Sequence, residues 1–313
     1  MLTYYHIKDG TAAPATHGNA QWLALTNPSA DELQGLAEQY GLSQRVLHSL
    51  LDEHEDPRSE GLNPDDDVPG LIVLRYPVAY MNEMKIREFQ TMPLSMILLD
   101  DMVITISRNQ LPDQLHANLM SGHWLTGVPE ETALHILWCV LHAYVKVDEV
   151  VNAQVTAMSR ELGKASRNEQ LYQIMALQKS LIYLESVLDN TMPLLKDLRA
   201  GERYFTKSDY DDALRDVMTE SHQAKTMTSV AERILEQFNT TVSSIVSNNL
   251  NIIMKVLTSI TIILTIPTVI GGLWGMNVPV PFAGQYWAFW GICAATAVLC
   301  GICAYILWKH DYF

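Results

Sequence analysis

Between Val256 and Trp308 the chain runs for fifty-three residues without an Asp, Glu, Lys, Arg or His, so any chemistry there falls to neutral groups. Steps of three or four residues from Asn251 meet Met254, Leu257, Thr261, Thr265, Thr268, Gly272 and Gly275, the spacing of one face of a helix. That face holds three of the five hydroxyls and two of the three glycines of Val256–Met276, and the carboxamide of Asn277 follows Met276. Hydroxyl and amide oxygens are uncharged hydrogen-bond acceptors. The remaining faces carry Ile252, Val256, Ile260, Ile263, Ile266 and Ile270. Polar groups in hydrocarbon are costly unless they face protein or water, although threonine can also bond its own helix backbone. The stripe therefore reads two ways: as a face on which another helix packs closely, or as the wall of a water-filled passage. In the second case Met254 and Leu257, repeated around an axis, form an apolar ring that closes the passage by dewetting.

The uncharged stretch is long enough for two membrane crossings, since a hydrocarbon core about 30 Å thick takes roughly 20 helical residues. Val256–Met276 is one expected span and Tyr286–Trp308 the other. Between them, residues 277–285 contain Pro279, Pro281 and Gly284, which end helices. Lys255 and Lys309 flank the spans and the loop has neither Lys nor Arg, which by the positive-inside bias puts both termini in the cytosol of a cell-membrane protein. The first residues lack the charged-then-apolar pattern of a secretory signal. Residues 255–313 carry a net +1, leaving −15 on residues 1–254. So acidic a soluble part excludes nucleic acid, whose binding rests on Lys and Arg, and is compatible with cations as cargo or signal. Cys300 and Cys303 have half the spacing of a zinc or redox motif, but within a span they read as packing thiols.

The elements that position this stretch lie upstream. Gln21–Thr26, Gly70–Val78, Leu94–Leu99 and Met102–Ser107 are short β-branched runs bounded by turn residues. Ser29-Ala-Asp-Glu32 is a capping box opening a helix that Gly41 stops, and Ser43 can cap the next. Residues 1–125 thus read as an α/β domain. Residues 126–207 read as a helical hairpin, its first helix opening at Pro129-Glu-Glu and its second covering about 168–198. From Ser208 no proline intervenes before Pro267, so 208–276 reads as one helix from stalk into first span, roughly 100 Å long. Val230, Ile234, Phe238, Val242 and Ile245 mark its expected apolar face. So long a helix needs neighbours, which predicts an oligomer. After the 277–285 loop and the second span, 309–313 is a short tail. Asp52-Glu-His-Glu-Asp56 with His48, and Asp65-Asp-Asp67, lack zincin or EF-hand spacing. His135 and His142 read as packing. No nucleophile triad or phosphate-cradling glycine loop occurs, so no enzyme is expected.

The ending Leu273-Trp-Gly-Met-Asn-Val278, preceded by Asn251-x-x-Met254-Lys-Val-Leu-Thr258 and a very long helix after an α/β domain, resembles the CorA family of magnesium channels over the whole chain. The resemblance implies a homopentameric funnel in a lipid bilayer, with the first span lining the pore. Gly275, Met276 and Asn277 would form the mouth, where Asn277 amides accept hydrogen bonds from hydrated Mg²⁺. Gly272, Thr268, Thr265, Thr261, Leu257, Met254 and Asn251 would line the way inward. It also implies Mg²⁺ as regulatory ligand as well as cargo, held between neighbouring subunits at Glu83 and Asp216. Transport of Co²⁺, Ni²⁺ or Zn²⁺ is the alternative within the superfamily. A membrane-anchored sensor or scaffold is the alternative outside it.

Overall fold

The computed structural model describes residues 1–43, 47, 51–66, 68–160, 167–278, 280, 284–310 and 312, with backbone only at 159, 160, 167–170 and 209. It divides into two compact units, Met1–Gln237 and Phe238–Phe313. The first unit is built on a seven-stranded sheet of β1 (Leu2–Lys8), β2 (Thr11–Pro14), β3 (Trp22–Thr26), β4 (Arg58–Glu60), β5 (Gly70–Met81), β6 (Arg87–Leu98) and β7 (Val103–Ser107). Their order is β2-β1-β3-β7-β6-β5-β4. Only the β3–β7 pair is parallel.

Three strands go beyond the sequence reading, for identifiable reasons. The β1–β2 hairpin turns at Asp9 and Gly10, both left-handed with φ of 51° and 74°, the mirror-type turn that an Asp-Gly pair favours. That dipeptide was the available signal. β4 has three residues, too few for any period. β5 and β6 run twelve residues each, β5 through Pro77 to three residues past the expected end at Val78, and β6 through Pro93, which the reading took as a limit. Both prolines are tolerated because β4 pairs only with residues 71–73 of β5, and β7 only with 94–98 of β6. Beyond those points an absent N–H breaks no ladder.

One face of the sheet is covered by α1 (Ala30–Tyr40), whose Leu33, Leu36 and Ala37 join Leu23, Leu25, Val73, Ile97, Ile104 and Ile106 in a buried cluster. Removing one such side chain costs about 2–5 kcal/mol, transfer and cavity together. Ser29 and Glu32 form the expected capping box, and Gly41 closes the helix at φ 65°. The helix that Ser43 would cap lies outside the described residues. After the short α2 (Asp113–Leu119), α3 (Pro129–Arg160) and α4 (Arg167–Ala200) pack on the sheet. Tyr144 on α3 donates to the Arg75 carbonyl at 2.7 Å, and Ser180 on α4 accepts from the Phe89 N–H at 2.9 Å.

The last two helices are α5 (Ser208–Trp274), unbroken as expected and continuing through Pro267, and α6 (Tyr286–Lys309). The apolar face expected for α5 is displaced. Val230, Ile234 and Ile245 are exposed, whereas Leu214, Val217, Ser221, Ala224, Thr228, Ala231, Leu235, Phe238 and Val242 are buried. Their alternating steps of three and four make a heptad seam. A reading that counted only bulky apolar residues missed it because its middle is Ser, Ala and Thr, whose small side chains let helices approach.

Within the first unit, α3 meets that seam at a carboxyl group. Asp148 is fully buried; Thr228 donates to its Oδ2 at 2.9 Å, while Oδ1 has no partner among the described residues. Burial pushes its pKa up to about 7, against a smaller downward effect of the Thr228 hydrogen bond. A carboxyl raised in the folded state stabilises most below its unfolded pKa of about 3.9, and that stability is lost as pH rises through the folded value. Asp148→Asn, which stays neutral and keeps the shape, should therefore melt above the parent at pH 8, by on the order of 3 kcal/mol in stability. The difference should shrink steadily toward pH 4. A pH-independent difference in a thermal melt series would refute this account.

Candidate functional site

In the second unit, α5 presents two opposite faces. From 251 to 274 only Val256, Ser259, Ile263, Ile266, Ile270 and Trp274 are buried or half-buried. Asn251, Met254, Leu257, Thr261, Thr265, Thr268 and Gly272 are all exposed. At roughly 100° per residue the two sets lie about 180° apart. The buried set faces α6: Pro267, Ile270, Gly271 and Trp274 line an apolar groove with Ala288, Phe289, Ile292 and Cys293. The polar stripe is thus turned away from the one helix its own chain supplies. Of the residues expected on the apolar faces, Ile260 sits on the flank and is exposed. Ile252 is exposed one turn before Lys255, whose ammonium lies 5.6 Å from the Tyr312 ring just past α6.

The hydroxyls of the stripe are already partly committed. Thr261, Thr265 and Thr268 each donate to the carbonyl four residues back, those of Leu257, Thr261 and Leu264, at 2.8, 2.7 and 2.9 Å. With the one hydroxyl hydrogen spent on the helix, what each threonine still offers is lone pairs. The face is therefore a ladder of acceptors.

At the end of α5, the Gly275 N–H bonds to the Gly271 carbonyl at 2.9 Å, carrying the helical pattern one residue past Trp274. Gly275 is not left-handed; a Cβ there would sit 3.2 Å from the Gly271 oxygen. The close approach is what favours its lack of a side chain. Met276 and Asn277 follow, both exposed, and the Asn277 carboxamide has no hydrogen-bond partner among the described residues.

The cysteine reading gains a specific role. Pro267 has no N–H, so the Ile263 carbonyl loses its helical partner. The Cys300 thiol on α6 lies 3.6 Å from that oxygen and donates to it. The proline's i−4 carbonyl was the sequence signal that could have found this contact. Ser259, also turned toward α6, is fully buried with no partner for its hydroxyl among the described residues.

In the first unit Glu83 lies exposed in the turn between β5 and β6, and Asp216 lies exposed on α5. They are on separate elements, and no group of three candidate metal ligands forms among the described residues. The nearby Glu88, which the sequence did not single out, is occupied. Tyr80 donates to it, Asn82 at 2.6 Å and Lys179 at 3.0 Å do likewise, and these bonds, Tyr80's first, hold its pKa down. Glu83, exposed at that hairpin end, has no ion pair or hydrogen bond among the described residues. His135 bonds the Asn118 carbonyl and His142 bonds Glu220. Glu53 pairs with Arg108, Glu55 with Arg58, and Asp66 caps the Asn63 N–H. His48 and Asp67 lie outside the described residues.

Comparison with known proteins is consistent from end to end. The family described as CorA-like Mg²⁺ transporter protein matches residues 18–309. A cobalt/magnesium transport protein CorA of Methanocaldococcus jannaschii is 25% identical over 298 residues, covering 93% of this chain and 90% of that one. The protein of the same description from Thermotoga maritima is 22% identical over 263 residues, covering 82% and 72%. The complete structure of the Methanocaldococcus jannaschii magnesium transporter superposes with a TM-score of 0.80 at 20% identity, covering 100% of this chain and 99% of that one.

The Pro267–Cys300 relation is testable by a double-mutant cycle. Cys300→Ala should destabilise the detergent-purified protein by about 0.5–1.5 kcal/mol, as an orphaned buried carbonyl implies. In a Pro267→Ala background, where residue 267 regains its N–H, most of that cost should vanish. Strict additivity of the two substitutions would show that the thiol does not serve the carbonyl.

Proposed function

This chain belongs to the family of CorA-like Mg²⁺ transporter proteins, and from that membership we propose how its own residues move the ion. It is a membrane protein that transports Mg²⁺, with α5 and α6 long and apolar enough to cross. In our reading five copies surround an axis, each turning its Asn251–Gly275 stripe inward and α6 outward. Both termini lie in the cytosol of a cell with the Asn277 mouth outside. The observation that carries this is the acceptor ladder on the face opposite α6: three hydroxyl hydrogens turned back onto the helix and lone pairs left facing outward.

The chemistry follows from the cargo. Mg²⁺ sheds its six waters reluctantly and holds them in a near-ideal octahedron. The shell of a cation points hydrogens outward, so the complementary wall is one of acceptors. The free Asn277 carboxamides supply the first ring and the threonines the next. Neutral oxygens hold the shell without the grip of a carboxylate ring, so the ion also leaves. Met254 and Leu257, both exposed on the same stripe, would form the apolar ring that dewets and closes. Recognition of the shell admits Co²⁺, whose aqua ion is of the same kind, and both relatives are cobalt/magnesium transport proteins.

Closure by cytosolic Mg²⁺ would use Glu83 of one subunit and Asp216 of its neighbour. Two like charges repel across an interface until a divalent cation bridges them, so loss of the ion favours the open arrangement. The exposure of both carboxylates, and the engagement of Glu88, support this choice of residues.

Two measurements test the proposal. In liposomes loaded with a Mg²⁺-sensitive dye the protein should conduct, and Asn277→Ala should lower the flux at least roughly tenfold, since a hydrogen bond to a charged group contributes about 1.5–3 kcal/mol. Thr265→Val, equal in shape, should lower it less. Unchanged flux in Asn277→Ala would remove the mouth from the mechanism. Separately, Asp216→Lys supplies a fixed counter-charge and should shift the internal Mg²⁺ concentration that half-closes the channel several-fold. A superimposable inhibition curve would dissociate Asp216 from sensing.

A further inference from the structure

A recess of about 510 Å³ in the first unit lies between the residues after α2, the middle of α3 and the early part of α5, and is lined by Trp124, Trp138, His142 and Asp216 among others. The two indoles stand at 86° with centroids 6.4 Å apart, forming adjacent walls. Trp138 is held in place by His142, stacked on it at 4.7 Å, and His142 is fixed in turn by Glu220 at 2.7 Å. His135, whose Nε2 lies 3.2 Å from the Asn118 carbonyl, is packed against Gly122, where a Cβ would sit 2.1 Å from the imidazole. Burial lowers the His135 pKa below the usual imidazole value, so it brings no positive charge. No Lys or Arg lines the recess among the described residues. Asp216, the carboxylate in its wall, has no ion pair or hydrogen bond among the described residues.

We propose that this recess binds a small organic cation, an ammonium or guanidinium group, between the Trp124 and Trp138 rings and the Asp216 carboxylate. Aromatic faces attract a cation whose charge is not hidden behind tightly bound water, and they favour tryptophan above other rings. A hydrated Mg²⁺ presents water rather than bare charge and gains little from an indole. A dehydrated transition metal would need a ligand cluster, and no group of three forms among the described residues. An anion meets Asp216, with Glu220 behind His142. The volume falls in the range of small-molecule sites, about 300–1,000 Å³. Asp216 is also the residue assigned above to Mg²⁺ sensing. Where that reading holds, the organic cation and the divalent ion compete for it, but binding itself does not depend on that reading.

The test is equilibrium binding to the full-length detergent-purified protein without Mg²⁺ at fixed ionic strength, with tetramethylammonium as probe and sodium as the control of equal charge. Tryptophan fluorescence should change saturably with tetramethylammonium and not with sodium. Asp216→Asn and Trp138→Leu should each weaken binding roughly tenfold, while Asp216→Glu and Trp138→Phe, which keep the charge and an aromatic face, should retain it. Because Asp216 is exposed, its substitution leaves the fold intact and keeps the test decisive even if Trp138→Leu fails to fold. An equal response to sodium, affinity unchanged in Asp216→Asn, or no saturable binding, as when a second copy covers the recess, would each overturn the proposal. Since no flux is measured, failure of the transport mechanism leaves this result untouched.

Discussion

The second unit is governed by one rule: in hydrocarbon every polar group must find a partner inside the protein or reach water, because an unsatisfied one costs several kcal/mol. Thr261, Thr265 and Thr268 meet half of that demand by donating to their own helix. The lone pairs that remain cannot be satisfied by a lipid tail. They need water or an ion's water, and that need makes the orientation of the stripe consequential. A helix turning it toward lipid would forfeit the acceptors; one turning it toward a wet axis uses them.

Pro267 shows the rule from the opposite side. A proline within a membrane helix exposes one carbonyl, and something must come to it. The Cys300 thiol does so from α6, with Ile263, Ile266, Ile270 and Trp274 burying the surrounding surface. The contact pins the rotational setting of α5 against α6. Because the two faces of α5 lie on opposite sides, fixing one direction fixes the other. A thiol on the second helix thereby helps decide where the threonines of the first point. The half-motif at Cys300 and Cys303 is thus explained in part by backbone satisfaction rather than by metal or redox chemistry.

How much could be read in advance depended on which signals were local. The spans, the unbroken α5 and the capping box at Ser29 follow from composition and spacing within a few residues, and all were legible. The polar stripe was legible too, since helical period alone generates it, though its direction was not, because that depends on which side α6 takes. The seam of α5 was misplaced toward Val230, Ile234 and Ile245 because Ser221, Ala224 and Thr228 carry little hydrophobic signal. What buries them is the approach of neighbouring helices, a tertiary fact. Glu88 and Asp148 went unnoticed for a similar reason. One of 35 acids becomes distinctive only when Tyr80, Asn82 and Lys179, or Thr228, arrive from elsewhere in the chain. Pro93 misled in the other direction, since its tolerance depends on where a neighbouring strand ends.

In the proposed pore, selectivity would follow from the same acceptors. A wall that reads the outer hydrogens of a water shell distinguishes cations from anions, whose shells point oxygens or lone pairs outward, but reads the metal only through the size and rigidity of its shell. Among ions holding six waters in an octahedron, such a wall discriminates weakly. Discrimination from monovalent cations would be stronger, because a shell that exchanges readily does not keep a fixed pattern of donors for the proposed Asn277 and threonine rings to match. The loop from Val278 to Gln285 has no acidic residue, so at the proposed mouth no carboxylate field would add to capture. In the proposed arrangement the match between a rigid hydration shell and a neutral acceptor ring would therefore carry the recognition.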